Sequence, residues 1–368
     1  MPILDSSIGN YVTISGHKYS YFAGNNYLGL ADHPAIKKAS VRSIKKYGNN
    51  FSASRCTTGT ADIHLELEKK LAAFMQKQDA VVFASGYMGN GILLDTLKNR
   101  YSSVFMDELA HPSITGSIPR EIENIRYFDH CDVFHLENLL KQNKESNPLV
   151  ITDGVFALSG EIAPLDKIYP LVEKYHAILV VDDAHSIGIL GKNGRGTAEY
   201  FNLDWAGNIY SSGTMSKALG GYGGFISGTH ELIELIREKS AAFQASTSLP
   251  PSLVATGTAS LEILQNYPEL RVRLLDKATA LRKEIISLGF QTTPDYTPII
   301  PIIWTELSKA EGLSLFLKNN RVIAPFMNYP VKMKGHMIRI TVSAGHTDAQ
   351  IENLLILLKK WRDKNGTR

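Results

Sequence analysis

Short apolar strands and amphipathic helices alternate from about residue 60 to residue 242 of this 368-residue chain. This alternation restricts the fold more than any other feature of the sequence. It predicts a mostly parallel sheet covered by helices on both faces, and ligands bind such sheets at the carboxyl ends of the strands. The predicted strands are Ala80–Ala84, Ser103–Met106, Leu149–Thr152, Ala177–Asp182, Ile209–Ser212 and Gly224–Ser227. The predicted helices are Leu65–Gln76, Gly86–Leu97, Val133–Gln142, Leu165–Tyr175 and Glu231–Ala242.

The two ends of the chain follow other patterns. Residues 1–45 form a predicted N-terminal segment with a hairpin over residues 11–22, and residues 46–275 form the large domain. One long helix, Ser252–Ile286, is predicted to link this domain to a smaller one at residues 276–368. Strands and helices both occur there, so the predicted fold class is α/β with a smaller C-terminal α+β domain. Its predicted elements are Ile299–Trp304, Ser308–Leu317, Met337–Val342 and Thr347–Trp361.

Composition excludes several classes of function. A hydrophobic fraction of 44% with a charged fraction of 20% is typical of a soluble globular protein. The net charge of +3 is spread along the chain, which argues against a nucleic-acid surface. The cysteines, Cys56 and Cys131, lie far apart and have no metal-ligand spacing, so we expect no metal and a reduced, cytoplasmic location. No signal peptide or membrane-spanning run is predicted.

Two strand ends carry the residues that pyridoxal phosphate (PLP) chemistry requires. One strand ends in Asp182-Asp-Ala-His185, and the next opens into a turn rich in hydroxyls and glycines around Lys217. A lysine amine can form a Schiff base with the PLP aldehyde, and an aspartate can keep the pyridine nitrogen protonated. Alone, the aspartate is an ordinary cap residue and the lysine a solvated one. Their order and spacing together predict a PLP site.

Further residues fit the same site. Ser85-Gly86-Tyr87 stands where a strand turns into a helix, and free backbone N–H groups at a helix start can bind phosphate. The alternative is a simple tight turn. The hydroxyls of Thr214 and Ser216 can also meet phosphate oxygens. His111 follows another strand and can stack on the pyridine ring, although an ordinary surface or capping histidine would look the same.

Arg339 lies in the otherwise apolar strand Met337–Val342. A half-buried guanidinium needs an anion, and the carboxylate of a substrate is a suitable bidentate partner. A structural salt bridge is the alternative.

These residues belong to a longer series of motifs that resembles one family. From Asn25 to the final helix, the chain resembles the α-oxoamine synthases among the fold-type-I PLP enzymes. This family includes 8-amino-7-oxononanoate synthase, 2-amino-3-ketobutyrate CoA ligase, serine palmitoyltransferase and 5-aminolevulinate synthase. The resemblance is carried by Asn25–Leu30, Ser54-Arg55, Thr58-Gly59, His64, Ser85–Met88, His111–Ser113, Asp153–Phe156, Ala163–Leu165, Asp182–Ser186, Thr214–Lys217, Ser246–Pro251, Arg339, Ser343-Ala344 and His346-Thr347.

The resemblance implies a PLP-dependent acyltransferase that condenses an α-amino acid with an acyl-CoA, loses CO2 and yields an α-amino ketone. It also implies an obligate homodimer with a shared active site. The implied roles are a Schiff base for Lys217, pairing with the pyridine nitrogen for Asp182, a hydrogen bond to the ring hydroxyl for His185, ring stacking for His111, phosphate binding for Ser85, Gly86, Tyr87, Thr214 and the partner subunit's Thr247, and carboxylate binding for Asn26 and Arg339.

One departure from the family pattern leaves other reactions open. The family often has Ser-Met after Gly-Val-Phe, with the serine near the ring hydroxyl, whereas this chain has Ala157-Leu158. An aminotransferase or a β-hydroxy amino acid aldolase therefore remains an alternative function. A non-catalytic partner subunit is the second alternative, but such a subunit lacks the lysine, which is present here. Lys332 and Lys334 are candidate contacts for CoA phosphates, with simple solvation as the alternative.

Overall fold

The computed structural model describes residues 3–327 and 335–367, so Lys332 and Lys334 lie outside the described residues. The chain forms two compact units. The large unit comprises Pro34–Val155 and Ile162–Asn266. The small unit comprises Met1–His33, Phe156–Glu161 and Tyr267–Arg368. Among the described residues, every helix is too short or too polar to cross a membrane.

These units differ from the predicted boundaries at both ends. The C-terminal part of the small unit begins at Tyr267 rather than at residue 276. The small unit also contains the N-terminal hairpin. The hairpin belongs there because its second strand pairs in parallel with Val322-Ile323, through Ser20 and Tyr21. A pairing across about three hundred residues has no local signature in the sequence.

A seven-stranded sheet forms the centre of the large unit, and its mostly parallel character confirms the predicted fold class. The strands lie in the order β3-β9-β8-β7-β6-β4-β5, and β9 alone runs antiparallel to its neighbours. β4 and β6 are buried along their whole length, as expected of parallel strands covered on both faces. Their bounds are β3 Asp79–Phe83, β4 Ser103–Asp107, β5 Asn124–Phe128, β6 Pro148–Asp153, β7 Ile178–Asp182, β8 Ile209–Thr214 and β9 Gly224–Gly228.

Ten helices surround this sheet in the described part of the large unit. Several begin at a capping residue: the side chain of Asp132 accepts the N–H of His135 at the start of α5, and Thr229 accepts that of Leu232 in α8. The helices are α1 Pro34–Tyr47, α2 Asp62–Met75, α3 Tyr87–Leu97, α4 Pro112–Thr115, α5 Val133–Gln142, α6 Leu165–Lys174, α7 Thr197–Tyr200, α8 His230–Lys239, α9 Ala241–Ala245 and α10 Pro251–Asn266.

The predicted single helix Ser252–Ile286 is wrong. The structure has α10, which ends at Asn266, and a second helix, α11, over Glu269–Ser287. Pro268 separates them, because proline has no N–H to donate and its ring clashes with the preceding turn. This break is also where the large unit ends and the small unit resumes.

The described residues of the small unit form two three-stranded sheets. The first has the order β1-β2-β11, and the second has the order β10-β13-β12 with antiparallel neighbours. Helices α11, α12 and α13 pack beside them. The bounds are β1 Tyr11–Ile14, β2 His17–Tyr21, β10 Ile299–Trp304, α12 Leu307–Asn319, β11 Val322–Ile323, β12 Phe326–Met327, β13 His336–Thr341 and α13 Asp348–Asn365.

The short segment Phe156–Glu161 is held by hydrogen bonds within the small unit. Thr293 Oγ1 donates to the carbonyl of Ser159 at 2.7 Å, and Thr297 Oγ1 donates to that of Gly160 at 2.7 Å. The fully buried Arg282 holds the loop that carries these threonines, because its guanidinium donates to the carbonyls of Thr293 and Ile299.

An ion pair between Arg55 and Glu68 is buried in the large unit. Arg55 Nη1 and Nη2 donate to the two carboxylate oxygens of Glu68 at 2.8 and 2.9 Å. Their side chains are only 7% and 3% exposed. The backbone N–H of Val82 donates to the same carboxylate, so the pair attaches the loop before α2 to strand β3.

We expect Arg55→Ala to lower the free energy of unfolding by about 3 kcal/mol, because the buried Glu68 charge loses its two hydrogen bonds to Arg55 and its next cationic partner, Arg237 Nη2, lies 3.9 Å away. Urea unfolding measures this loss. Lys46→Ala is the matched control, because Lys46 and its partner Asp62 are 64% and 69% exposed and the pair is screened by water. Equal effects of the two substitutions would contradict the assignment.

Candidate active site

A cavity of about 220 Å3 lies at the carboxyl edge of the central sheet. Strands β3, β4, β6, β7 and β8 each deliver residues to it, because the carboxyl ends of these strands meet at one edge. The lining residues are Ser85, Gly86, Tyr87, His111, Ser113, Asp153, Asp182, Ala184, His185, Thr214, Ser216 and Lys217. The structure therefore brings together nine of the residues that the sequence analysis named for the site.

Asp182 ends β7 and is 8% exposed. Its Oδ1 accepts the backbone N–H of Ala184 at 3.0 Å, and its Oδ2 accepts Asn90 Nδ2 at 2.6 Å. The two donors therefore fix the orientation of the Asp182 carboxyl group. Asp183, the next residue, points into the core, where it accepts hydrogen bonds from Thr197, and burial raises its pKa.

Gly86 packs closely against Thr214 at the start of α3. A Cβ built on Gly86 would lie 2.6 Å from both Cβ and Oγ1 of Thr214, so no larger residue fits without displacing that strand end. Thr214 Oγ1 donates to the carbonyl of Gly223 at 3.0 Å and accepts the N–H of Ser216 at 3.2 Å. The result is a narrow cradle formed by a helix start and hydroxyls, which suits a phosphate group.

His111 caps the short helix α4 and faces the cavity. Its Nδ1 accepts the backbone N–H of Ser113 at 3.2 Å and lies 2.8 Å from Ser113 Oγ. Burial lowers the pKa of His111, the Asp182 charge opposes this effect, and the Lys217 charge adds to it. The imidazole is therefore neutral, with Nδ1 as acceptor and the proton on Nε2. Tyr87 lies edge-on to it, with ring centroids 6.3 Å apart.

Asp153 is the carboxylate next to Asp182. The two residues are directly paired in the register of β6 and β7, and Asp153 Oδ1 accepts the backbone N–H of His111 at 3.1 Å. Burial raises the pKa of Asp153 well above its usual value, and the Asp182 charge raises it further. Burial thus favours the protonated form of Asp153.

Sequence reasoning did not assign a role to Asn90, Ser113 or Asp153. Asn90 is fully buried in α3 and contacts Asp182 directly. The available signal was weak: Asn90 is a polar residue four positions after Gly86, in a helix that is otherwise apolar or glycine at its start. Ser113 and Asp153 occur in motifs that carried the resemblance, but spacing alone gave them no chemistry.

Three predicted site residues are not among those lining the cavity. Thr247 is exposed and forms a bridge with Ser54. Asn26, in the small unit, accepts the N–H of Ala31 through Oδ1. Arg339 lies on β13 of the small unit and is 6% exposed.

Neutral groups surround the Arg339 guanidinium. Its hydrogen bonds run to carbonyls and to uncharged side chains, and among the described residues no carboxylate forms an ion pair with it. A buried cation held only by neutral acceptors retains its attraction for an anion. Asn25, rather than Asn26, contacts the guanidinium. The acceptors are Ala157 O at 2.7 Å, Gly24 O at 3.2 Å, Thr341 Oγ1 at 2.8 Å, Asn25 Oδ1 at 3.0 Å and Tyr27 Oη at 3.3 Å.

A separate cluster outside the cavity combines Asp107, His130 and Cys131, with ligand-type atoms within 4.8 Å of one another. Asp107 accepts the N–H groups of Leu109 and Cys131 and a hydrogen bond from His130 Nδ1 at 3.0 Å. The carboxylate is thus engaged in holding the loop before α5.

Comparison with known proteins agrees with this site. The model of the aminotransferase class I and II family matches residues 19–357. A solved structure of serine palmitoyltransferase with a PLP internal aldimine aligns with a TM-score of 0.93 and 29% identity, covering 100% of this chain and 94% of that chain. The fold is that of the fold-type-I PLP transferases. The chain belongs to the aminotransferase class I and II family.

Two further relatives bear the name of one α-oxoamine synthase. The 8-amino-7-oxononanoate synthase of Alkaliphilus metalliredigens is 38% identical over 364 residues, which is 98% of this chain and 92% of the relative. The crystal structure of 8-amino-7-oxononanoate synthase from Francisella tularensis aligns with a TM-score of 0.80 and 27% identity, covering 92% and 96% of the two chains. The predicted resemblance to the α-oxoamine synthases is confirmed.

The raised pKa of Asp153 predicts a dependence of stability on pH. The folded-state pKa exceeds the unfolded one, so this residue favours folding below its ordinary pKa and loses that effect as pH rises through the folded value. We expect Asp153→Asn to become progressively more stable than the unsubstituted protein as pH rises through that window. Thermal unfolding of the cofactor-free protein at several pH values measures the difference.

Asp129→Asn is the control for this prediction, because the Asp129 side chain is 69% exposed. A stability difference for Asp153→Asn that does not vary with pH would contradict the buried, protonated state of Asp153.

Proposed function

We propose that this protein is a PLP-dependent acyltransferase that condenses an α-amino acid with an acyl-CoA thioester, releases CO2 and gives an α-amino ketone. The observation that carries the proposal is that one cavity contains both Lys217 and Asp182, and that Asp182 accepts hydrogen bonds on both carboxyl oxygens. Relatives named 8-amino-7-oxononanoate synthase, aligned over nearly the whole chain, support this choice within the family.

The residues present fit PLP. The start of helix α3 and the hydroxyls of Thr214 and Ser216 suit the phosphate, the Lys217 amine suits the aldehyde, and Asp182 suits the pyridine nitrogen. The imidazole of His111 offers a flat face for the ring, and His185 lies in the same cavity for the ring hydroxyl. When bound, PLP supplies an electron sink that stabilises negative charge on the α-carbon of an amino acid.

The protein's own groups then move and hold protons. Asp182, which is fixed by two hydrogen-bond donors, would hold a proton on the pyridine nitrogen. The Lys217 amine is the proposed base for the α-proton of the amino acid. The neutral His111 presents an Nε2–H donor. Arg339 is proposed to bind the substrate carboxylate, because its described partners are all neutral.

The predicted homodimer with a shared site is part of the proposal. Thr247 is exposed and does not line the cavity of its own chain, which fits a residue supplied to the partner subunit. Tyr87, at the mouth of the phosphate cradle, is 57% exposed. The predicted cytoplasmic location and the roles of Asn26 and Ser85 remain proposals of the same kind.

Another PLP reaction is favoured by one observation. Ala157 stands where the family often has a serine, so no hydroxyl is available there for the cofactor ring. An aminotransferase or a β-hydroxy amino acid aldolase uses no thioester, whereas the proposed condensation requires one.

The deciding experiment mixes the PLP-loaded protein with glycine, L-alanine, L-serine or L-threonine, each with and without acetyl-CoA or longer acyl-CoAs. The visible spectrum, free CoA and CO2 are measured together. The proposal expects one amino acid to change the spectrum, and CoA and CO2 to appear in equal amounts only when a thioester is present. Turnover without a thioester would replace the proposal with the aminotransferase or aldolase reaction.

We expect Lys217→Ala to abolish turnover while the fold stays intact, because the substitution removes both the attachment point of the cofactor and the proposed base. Borohydride treatment followed by mass spectrometry should locate a stable cofactor adduct on Lys217 in the unsubstituted protein. Lys192→Ala, a substitution of a lysine outside the cavity, should keep the adduct and the turnover. Turnover by the Lys217→Ala variant would contradict the assignment of Lys217 as the attachment point of the cofactor and the base.

For Arg339→Gln we expect KM for the amino acid to rise at least about tenfold, because the buried positive charge that attracts the substrate carboxylate is lost. KM for the acyl-CoA should change little. Arg321→Gln is the control, because Arg321 donates to Tyr19 Oη away from the Arg339 partners. A fall in stability with no change in either KM would show that Arg339 is structural.

A further inference from the structure

Asn90 stands at the centre of a buried hydrogen-bond network behind the cavity. It lies one turn into α3 and is 0% exposed. Asn90 Nδ2 donates to Asp182 Oδ2 at 2.6 Å and to Ser113 Oγ at 3.0 Å, and Asn90 Oδ1 accepts Ser212 Oγ at 2.7 Å. Both amide hydrogens and the carbonyl oxygen are therefore engaged.

The direction of these hydrogen bonds follows from the donor and acceptor inventory. An ionised Asp182 can only accept, so the amide nitrogen of Asn90 must face it. The second amide hydrogen of Asn90 is donated to Ser113 Oγ, which accepts it. The hydroxyl hydrogen of Ser113 then donates to His111 Nδ1 at 2.8 Å. The backbone N–H of Ser113 also donates to this nitrogen.

We infer that Asn90 is a positioning residue of the active site. Its side-chain amide orients the Asp182 carboxylate and, through Ser113, holds His111 in the tautomer that carries its proton on Nε2. Asn90 itself does not line the cavity, so it acts through the two residues that do. This inference rests on the proposed PLP function and adds a residue to its machinery.

The neighbouring Asp153 explains why an amide is needed. Two carboxyl groups lie side by side at the ends of β6 and β7. An amide at position 90 donates to Asp182 without adding a charge to this pair. A carboxyl group at position 90 would have a similar shape, but in its ionised form it would place a negative charge beside Asp182 in place of a donor.

The experiment compares Asn90→Ala, Asn90→Asp and Ser113→Ala, with Leu93→Ala as control. Leu93 is a fully buried apolar residue of the same helix and is not among the cavity-lining residues, so its loss reports on packing alone. The measurements are the dissociation constant of PLP from pH 6 to 8, the visible spectrum over the same range, kcat, and the unfolding temperature of the cofactor-free proteins.

For Asn90→Ala we expect the PLP dissociation constant to rise at least about tenfold at every pH, because a buried charged acceptor loses its donor. Asn90→Asp should show the same loss at pH 8 and a smaller one at pH 6, where the added carboxyl group is protonated and can donate to Asp182. Ser113→Ala should lower kcat and leave PLP affinity within about twofold, since its contact with His111 is lost and the Asp182 contact is kept.

Leu93→Ala should lower the unfolding temperature without changing PLP affinity. The inference is overturned if both Asn90 variants keep the PLP affinity and spectrum of the unsubstituted protein and only unfold earlier, as Leu93→Ala does. Equal loss of PLP affinity in Ser113→Ala and Asn90→Ala would also overturn it. If Asn90→Ala does not fold, the isosteric Asn90→Asp still gives the pH-dependent comparison.

Failure of the proposed function gives a different result. An unsubstituted protein that does not bind PLP refutes that function before any variant is compared. A protein that binds PLP but uses no thioester changes the proposed reaction and leaves the positioning role of Asn90 open to the same measurements.

Discussion

The negative charge of Asp182 is the constraint on which the rest of the site depends. A carboxylate at this depth loses most of its hydration. The protein offsets this cost with the backbone N–H of Ala184 and the amide of Asn90. Asn90 must therefore lie next to the end of β7. This position of helix α3 also places the N-terminus of the helix at the phosphate cradle.

Much of the large unit was predictable because parallel strands covered on both faces appear as continuous apolar runs. β4, β6 and β7 show this pattern, and their ends mark the sheet edge where the site forms. The antiparallel β9 was also found as a strand, although its direction was not. Helix α1 was missed because only Ile36 and Ser43 are buried in it, too few for an apolar stripe. β5 was missed because most of this edge strand is only partly buried.

In the candidate site, too, residues in local motifs were predictable and residues that depend on distant partners were not. Residues in strong local motifs, such as Lys217 and Asp182, were assigned from sequence and lie in one cavity. Asn90 was not assigned because its role depends on three partners from other elements, which no spacing reveals. Asn26 and Arg339 were chosen from family motifs, and only the latter has an environment that independently calls for an anion.

The composition of the small unit has a consequence for biosynthesis. Its first sheet joins strand β2, which leaves the ribosome early, to strand β11, which is made only after the whole large unit has been translated. During synthesis, β2 can therefore pair with β1 but not with β11 until about three hundred more residues have been added. The six residues Phe156–Glu161 likewise lack their hydrogen-bond donors until the loop that carries Thr293 and Thr297 has been synthesised. A chain that ends before residue 322 lacks strand β11, so the first sheet of the small unit cannot be completed until the C-terminal part of the chain has been synthesised.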